Sequence, residues 1–214
     1  LLAVSHAVRA YHIDAGLAGA KAHVVYNGID LTRFRPRQPT GYLHRELVLP
    51  PDAYLIGTIG QICLRKGQDV LTAAATGLAE RFPAVHYLIV GRRHSQKQES
   101  AEFEASLSRA SEQGPLAGRL HLLGERHDVD RILNELAILV HPARQEPLGR
   151  VLLEAAASGT AVVATAVGGT AEIFPAGDEA ARLVATDSAV GLGEAIAELL
   201  NDTDRRLALG KAAR

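Results

Sequence analysis

Short apolar runs alternate with longer stretches of helical periodicity along most of the chain. The runs fall at residues 24–26, 54–59, 87–90, 120–123, 138–140 and 161–164 and are rich in Val, Ile and Leu. They lack the in-and-out alternation of a half-solvated strand, so they predict strands covered on both faces. Between them, residues 67–82 set Val70, Leu71, Ala74 and Leu78 on one helical face. Residues 99–113 read as a charged, mostly solvated helix, and 189–200 repeat Leu192, Ile196, Leu199 and Leu200. The alternation predicts an α/β fold with a doubly wound parallel sheet. Residues 1–23 read as a separate linker and helix region, in which Ser5 caps a helix that runs to about Asp14 and stops at Gly16. Residues 24–214 read as the domain proper. Within it, the Pro-rich stretch 35–50 predicts a connector and the polar stretch 93–101 a surface loop.

Composition narrows the function. The 214 residues include no Met and begin at Leu1, so a segment of a longer protein is expected. A formal net charge of -1, with 23 basic and 24 acidic residues interspersed, argues against a nucleic-acid partner. A single cysteine, Cys63, excludes an internal disulfide framework and a multi-cysteine metal site. No apolar run approaches the roughly 18 residues of a spanning helix. A cytoplasmic setting is expected.

The candidate chemistry lies in two stretches. In the first, residues 143–169, Glu146 and Glu154 stand eight positions apart. Pro147 suits a first helical turn, Leu148, Val151, Leu152 and Ala155 make an apolar stripe, and Ser158-Gly159 ends the helix. Eight helical residues advance roughly 12 Å, comparable to a sugar diphosphate. The amides of Leu148, Gly149 and Arg150 at the helix start suit a phosphate, and carboxylates accept hydrogen bonds from vicinal sugar hydroxyls. In the second, residues 55–70, a strand ends near Gly57 and Gly60, and a short loop presents Arg65 and Lys66 before Gly67. That places two cations at the carboxyl end of a strand, where open α/β sheets bind ligands. Gly91, Gly124 and Gly168-Gly169 follow other strands at the same edge. The glycines do not make the G-x-G-x-x-G dinucleotide pattern.

Four segments carry a resemblance. They are YNGIDLTRF at 26–34, IGTIGQICLRKGQDVL at 56–71, HLLGERHDVDRIL at 121–133 and HPARQEPLGRVLLEAAASGTAVVATAVGGTAEI at 141–173. Together they resemble the C-terminal, donor-binding domain of family-4 (group 1) glycosyltransferases, which have the GT-B architecture of two Rossmann-like domains. The resemblance implies a retaining, metal-independent hexosyltransferase whose N-terminal acceptor domain is absent from this chain. Peripheral membrane contact, where the family makes it, is usually through that other domain.

The resemblance also implies roles. Glu146 meets donor-sugar hydroxyls, Glu154 holds the ribose, and the amides of Leu148, Gly149 and Arg150 lie by the diphosphate. Lys66 neutralises the leaving group, with Gly60 and Arg65 beside it and Val129 near the base. The donor is a UDP-, GDP- or ADP-sugar, and no cofactor or metal is implied. Gln61 departs from the Arg that many relatives carry after the glycine, leaving Arg65 as a substitute or the diphosphate more weakly held. His121 and His141 are expected to be structural. A non-catalytic nucleotide-sugar-binding or scaffold domain, and a GT-B sugar phosphorylase, stay open as alternatives.

Overall fold

The computed structural model describes residues 1–175 and 179–214. The first two dozen residues form a small unit. Strand β1 (Leu2–Ala3) pairs in parallel with β2 (His23–Val24), so the run expected at 24–26 contributes only its first residue to a strand, outside the main sheet. Between them lies α1 (His6–Asp14), begun where the sequence predicts. The Ser5 hydroxyl accepts the Val8 amide at 3.1 Å, satisfying one of the N–H groups that a first turn leaves open. Arg9 Nε donates to the Ala22 carbonyl at 3.0 Å and ties the helix to β2.

The connector at 35–50 contains a short helix, α2 (Tyr42–Glu46), that its prolines conceal. It is held from outside. Glu135 accepts the Thr40 and Gly41 amides at 2.6 and 2.9 Å, and Leu43 is buried.

Beyond it, β3 (Tyr54–Ile59), β4 (Val85–Val90), β5 (Leu120–Gly124), β6 (Ile138–His141), β7 (Ala161–Thr165) and β8 (Arg182–Val184) form one sheet in the order β5-β4-β3-β6-β7-β8. Every pairing is parallel. Five of the six predicted runs become β3 to β7. Alternate side chains enter opposite faces: Leu55, Leu88, Leu139 and Val162 one way, Ile56, Tyr87, Ile89 and Val163 the other. Burying each such aliphatic side chain contributes about 1.5–3 kcal/mol. Helices α3 (Gln68–Leu78) and α4 (Gln98–Glu112) cover one face and α5 (Val129–Glu135) and α6 (Arg150–Ser158) the other. The short α7 (Thr170–Ile173) follows β7, α8 (Ala189–Asn201) joins the first face, and α9 (Thr203–Ala212) closes the chain. In α8 the four predicted apolar positions are all buried. In α4 the expected solvated helix buries Phe103 and Leu107.

The strand order reverses between β3 and β6. The connections leaving their carboxyl ends diverge to opposite faces and open a crevice, the usual ligand position in such sheets. Among the described residues, no helix is long and apolar enough to cross a membrane.

Candidate functional site

The crevice is built from the loops that leave β3 and β6. After β3, Gly60 and an extended Gln61–Cys63 stretch lead into one 3-10 turn, Leu64–Lys66. Gly67 closes the turn at φ +67, and a Cβ there would strike the Pro142 carbonyl. The turn sends the Lys66 side chain back beneath Gly60. Its Nζ meets Glu146 Oε2 at 2.5 Å, and His141, the last residue of β6, brings Nε2 to the same oxygen at 2.6 Å. His141 is 1% exposed and Glu146 7%.

Burial alone would push the Glu146 carboxyl up. The His141 hydrogen bond and the Lys66 ammonium outweigh it and bring the carboxyl down to about 2. Burial, with the Lys66 charge beside it, holds the His141 imidazole below its ordinary value despite Glu146. A neutral imidazole then donates Nε2–H to an ionised Glu146. Both shifts run in the same direction with pH. Glu146 is depressed from 4.5, so its contribution is present above that value and lost toward about pH 2. His141 is depressed from 6.5, so the unfolded chain takes up a proton below 6.5 that the folded chain refuses. Urea unfolding is therefore expected to lose stability between pH 7.5 and 5 faster in the wild type than in His141→Asn, by up to about 1.4 kcal/mol per pH unit. Parallel curves would contradict a neutral, buried His141.

Backbone contacts lock the two loops together. Arg144 N donates to the Arg65 carbonyl at 2.9 Å and Arg65 Nη1 to the Gln145 carbonyl at 3.2 Å. The Arg144 guanidinium is taken up by Asp69, Asp187 and the Leu64 carbonyl. From the other side, Gly169 N donates to the Glu146 carbonyl at 3.0 Å. Gly168 packs so closely that a Cβ would overlap that carbonyl.

Pro147 is not in a first helical turn. Helix α6 begins only at Arg150, after Gly149 in the left-handed region at φ +99. The helical-rise estimate between the two glutamates does not apply, because half of that stretch is loop. Even so, both carboxylates border one cavity of about 520 Å³, together with Gly60, Gln61, Arg65, Lys66, Leu148, Gly149 and Arg150. Glu154 is 9% exposed, and burial raises its carboxyl. Its ion-pair partner is the Arg150 guanidinium at a long 3.5 Å, which leaves acceptor capacity facing the cavity. Val129 is not in this cavity. It lines an adjoining one of about 200 Å³ that shares Ile59, Gly60 and Gln61. Just before Val129 in the chain, the His127 carbonyl already accepts Arg33, and the Asp128 carboxylate is taken by Arg126 and Tyr42.

Two features escaped the sequence. His141, expected to be structural, is the buried partner of Glu146. Its position at a strand's carboxyl end, five residues before that glutamate, was the available signal. His121 instead pairs with His86 at 3.1 Å, away from the crevice. Ser5 reads as the cap of α1, but its bond to Pro147 and those of Glu172 to α1 left no local signal, because these partners are remote in sequence. Among the described residues, no group of three or more His, Cys, Asp or Glu could hold a metal ion.

The family model for glycosyl transferases group 1 matches residues 42–214. The chain is 30% identical to D-inositol 3-phosphate glycosyltransferase of Corynebacterium urealyticum over 91% of its length and 46% of the relative's. It is 33% identical to phosphatidyl-myo-inositol mannosyltransferase of Mycolicibacterium smegmatis over 96% of its length and 49% of the relative's. The chain thus spans about half the length of the curated relatives it matches. Among solved structures, Anabaena HepE in complex with UDP-glucose superposes with a TM-score of 0.89 at 26% identity, covering 99% of this chain and 57% of that one. The C-terminal domain of a group 1 glycosyl transferase from Francisella tularensis superposes with a TM-score of 0.73 at 25% identity, covering 87% of this chain and 94% of that one. The chain belongs to the group 1 glycosyl transferases, and its α/β sheet is that of their GT-B fold.

Proposed function

We propose that this chain supplies the donor site of a retaining hexosyltransferase that moves a hexosyl unit from a nucleoside-diphosphate sugar to a sugar, lipid or metabolite acceptor. The observation that carries the reading is the convergence of Lys66, the Leu148–Arg150 backbone, Glu146 and Glu154 on one crevice at the sheet's switch point. The Lys66 ammonium and the loop amides face the diphosphate, where negative charge grows as the sugar C1–O bond breaks. Arg65, on the same rim, adds charge where Gln61 does not. Glu146, held ionised and fixed by His141, accepts hydrogen bonds from sugar hydroxyls. Glu154 accepts them from the ribose, and the base lies beside Val129. The acceptor oxygen attacks C1 on the face that the diphosphate leaves, and its proton passes to the departing phosphate oxygen. No step calls on a metal ion. Residues 1–23 lead in from an acceptor domain, without which this chain binds donor and transfers nothing. A nucleotide-sugar donor is in keeping with the UDP-glucose bound by HepE.

Calorimetric titration with UDP, GDP and ADP tests the reading and fixes the base. One nucleotide is expected to bind preferentially, and to bind about tenfold better than its 2′-deoxy form because charge-assisted bonds to Glu154 are lost in the latter. Glu154→Ala should erase that preference. A preference that survives in the variant removes Glu154 from the ribose site.

A further inference from the structure

Helix α1 is fastened to the donor loop by two side chains that do not line the crevice. Ser5 is fully buried. Its Oγ accepts the Val8 amide and donates its own proton to the Pro147 carbonyl at 2.5 Å. One hydroxyl thus caps α1 and holds the residue that separates Glu146 from Leu148. Glu172, on α7, completes the attachment. Its two oxygens accept the His6 and Ala7 amides, both at 2.8 Å, and the Tyr26 hydroxyl donates to Oε2 at 2.8 Å. Those two amides belong to the first turn of α1, where N–H groups lack partners within the helix and a carboxylate meets the positive end of the dipole. The amide of Gly169 bonds the Glu146 carbonyl at the entry to α7. Helix α1, the Glu146–Pro147 backbone and α7 therefore form one closed circuit of hydrogen bonds, although Ser5 and Pro147 are 142 positions apart.

We propose that Ser5 and Glu172 are positioning residues for the donor loop. They fix the Pro147 carbonyl, and with it the amides of Leu148, Gly149 and Arg150, and they couple that loop to the segment that leads in ahead of the domain. The inference rests on the reading of this loop as the diphosphate site. A displacement of α1, such as a rotation of the acceptor domain would impose, then reaches the donor loop through these bonds.

Amide exchange followed by NMR, together with nucleotide titration, tests the proposal in Ser5→Ala and Glu172→Gln. The temperature is chosen so that circular dichroism shows both variants folded. Exchange at Gly169 and Leu152, whose amides bond the Glu146 and Gly149 carbonyls, is expected to accelerate roughly tenfold in Ser5→Ala, in line with the loss of a helix cap and a buried donor. Glu172→Gln keeps the shape and one acceptor oxygen and should fall between it and the wild type. Affinity for whichever of UDP, GDP and ADP the wild type prefers should weaken by a similar factor, while exchange at Leu88 and Ile89 stays unchanged. Loop exchange equal to the wild type in folded Glu172→Gln overturns the proposal, as does acceleration by one factor throughout the chain. If Ser5→Ala does not fold, Glu172→Gln alone decides. A wild type that binds none of the three nucleotides ends the donor reading, and the exchange arm still decides the clamp.

Discussion

Lys66→Met is expected to weaken nucleoside diphosphate binding by roughly 10- to 150-fold, the range for losing a charge-assisted hydrogen bond to phosphate. Affinity for the matching nucleoside monophosphate should move much less, so the ratio between the two collapses. Lys66 Nζ is placed by a single 3-10 turn, pinned through Gly67 against Pro142 and through Glu146 at 2.5 Å. Met keeps the length and the apolar stem and removes only the charge. The same change leaves Glu146 buried with His141 alone, and breaking a buried pair by removing one partner typically costs about 3–5 kcal/mol. Loss of affinity must therefore be read at a temperature where the variant is folded. An unchanged diphosphate to monophosphate ratio would place the diphosphate away from Lys66.

Gly168→Ala should be among the most damaging single methyl additions at this edge of the sheet. Gly168 sits at φ +52, and the added Cβ would overlap the Glu146 carbonyl, which is backbone and cannot swing away. The next residue is nearly as tight, since a Cβ on Gly169 would lie 2.6 Å from the Pro147 carbonyl. A left-handed conformation costs a non-glycine residue about 1–2 kcal/mol, and overpacking against fixed backbone adds about 1–3 kcal/mol. The expected loss of about 4 kcal/mol corresponds to roughly 10 °C in Tm for a chain of this size. A shift of only a degree or two, with nucleotide binding intact, would mean that the loop carrying Glu146 can move aside freely.

The sequence reveals most of the sheet and the two glutamates, for physical reasons that also explain what it hides. Strands β3, β4, β6 and β7 are largely buried on both faces, so each reads as an apolar run, while the edge strand β5 is only half-buried. Strand β8 is three residues at the edge, with Arg182 at its start, and no run marks it. Helix α5 is seven residues long and is stabilised from outside, Asp130 pairing with Arg33 and Arg37 nearly a hundred positions away. Helix α9 has little amphipathic pattern and is set by its Asp202 cap and the buried Leu209. At the site, the spacing of Glu146 and Glu154 suggested one continuous helix. Gly149 interrupts it, so the loop amides come from an irregular turn. The convergence of Lys66, Glu146 and His141 depends on the parallel pairing of β3 with β6, about 80 residues apart, which no local pattern encodes.

A cavity of about 850 Å³ lies outside the crevice. It is lined by residues of the α2 region such as His44, Arg45 and Val48, together with Glu135, and these precede β3 or close α5 rather than follow a strand's carboxyl end. That contrast makes one measurement decisive, a crystal structure of the chain with its preferred nucleoside diphosphate. The donor-site account predicts the diphosphate between Lys66 and the Leu148–Arg150 amides, the ribose hydroxyls on Glu154 and the base beside Val129. A nucleotide seated in the α2 cavity, or ordered in the crevice with its ribose turned away from Glu154, would contradict it.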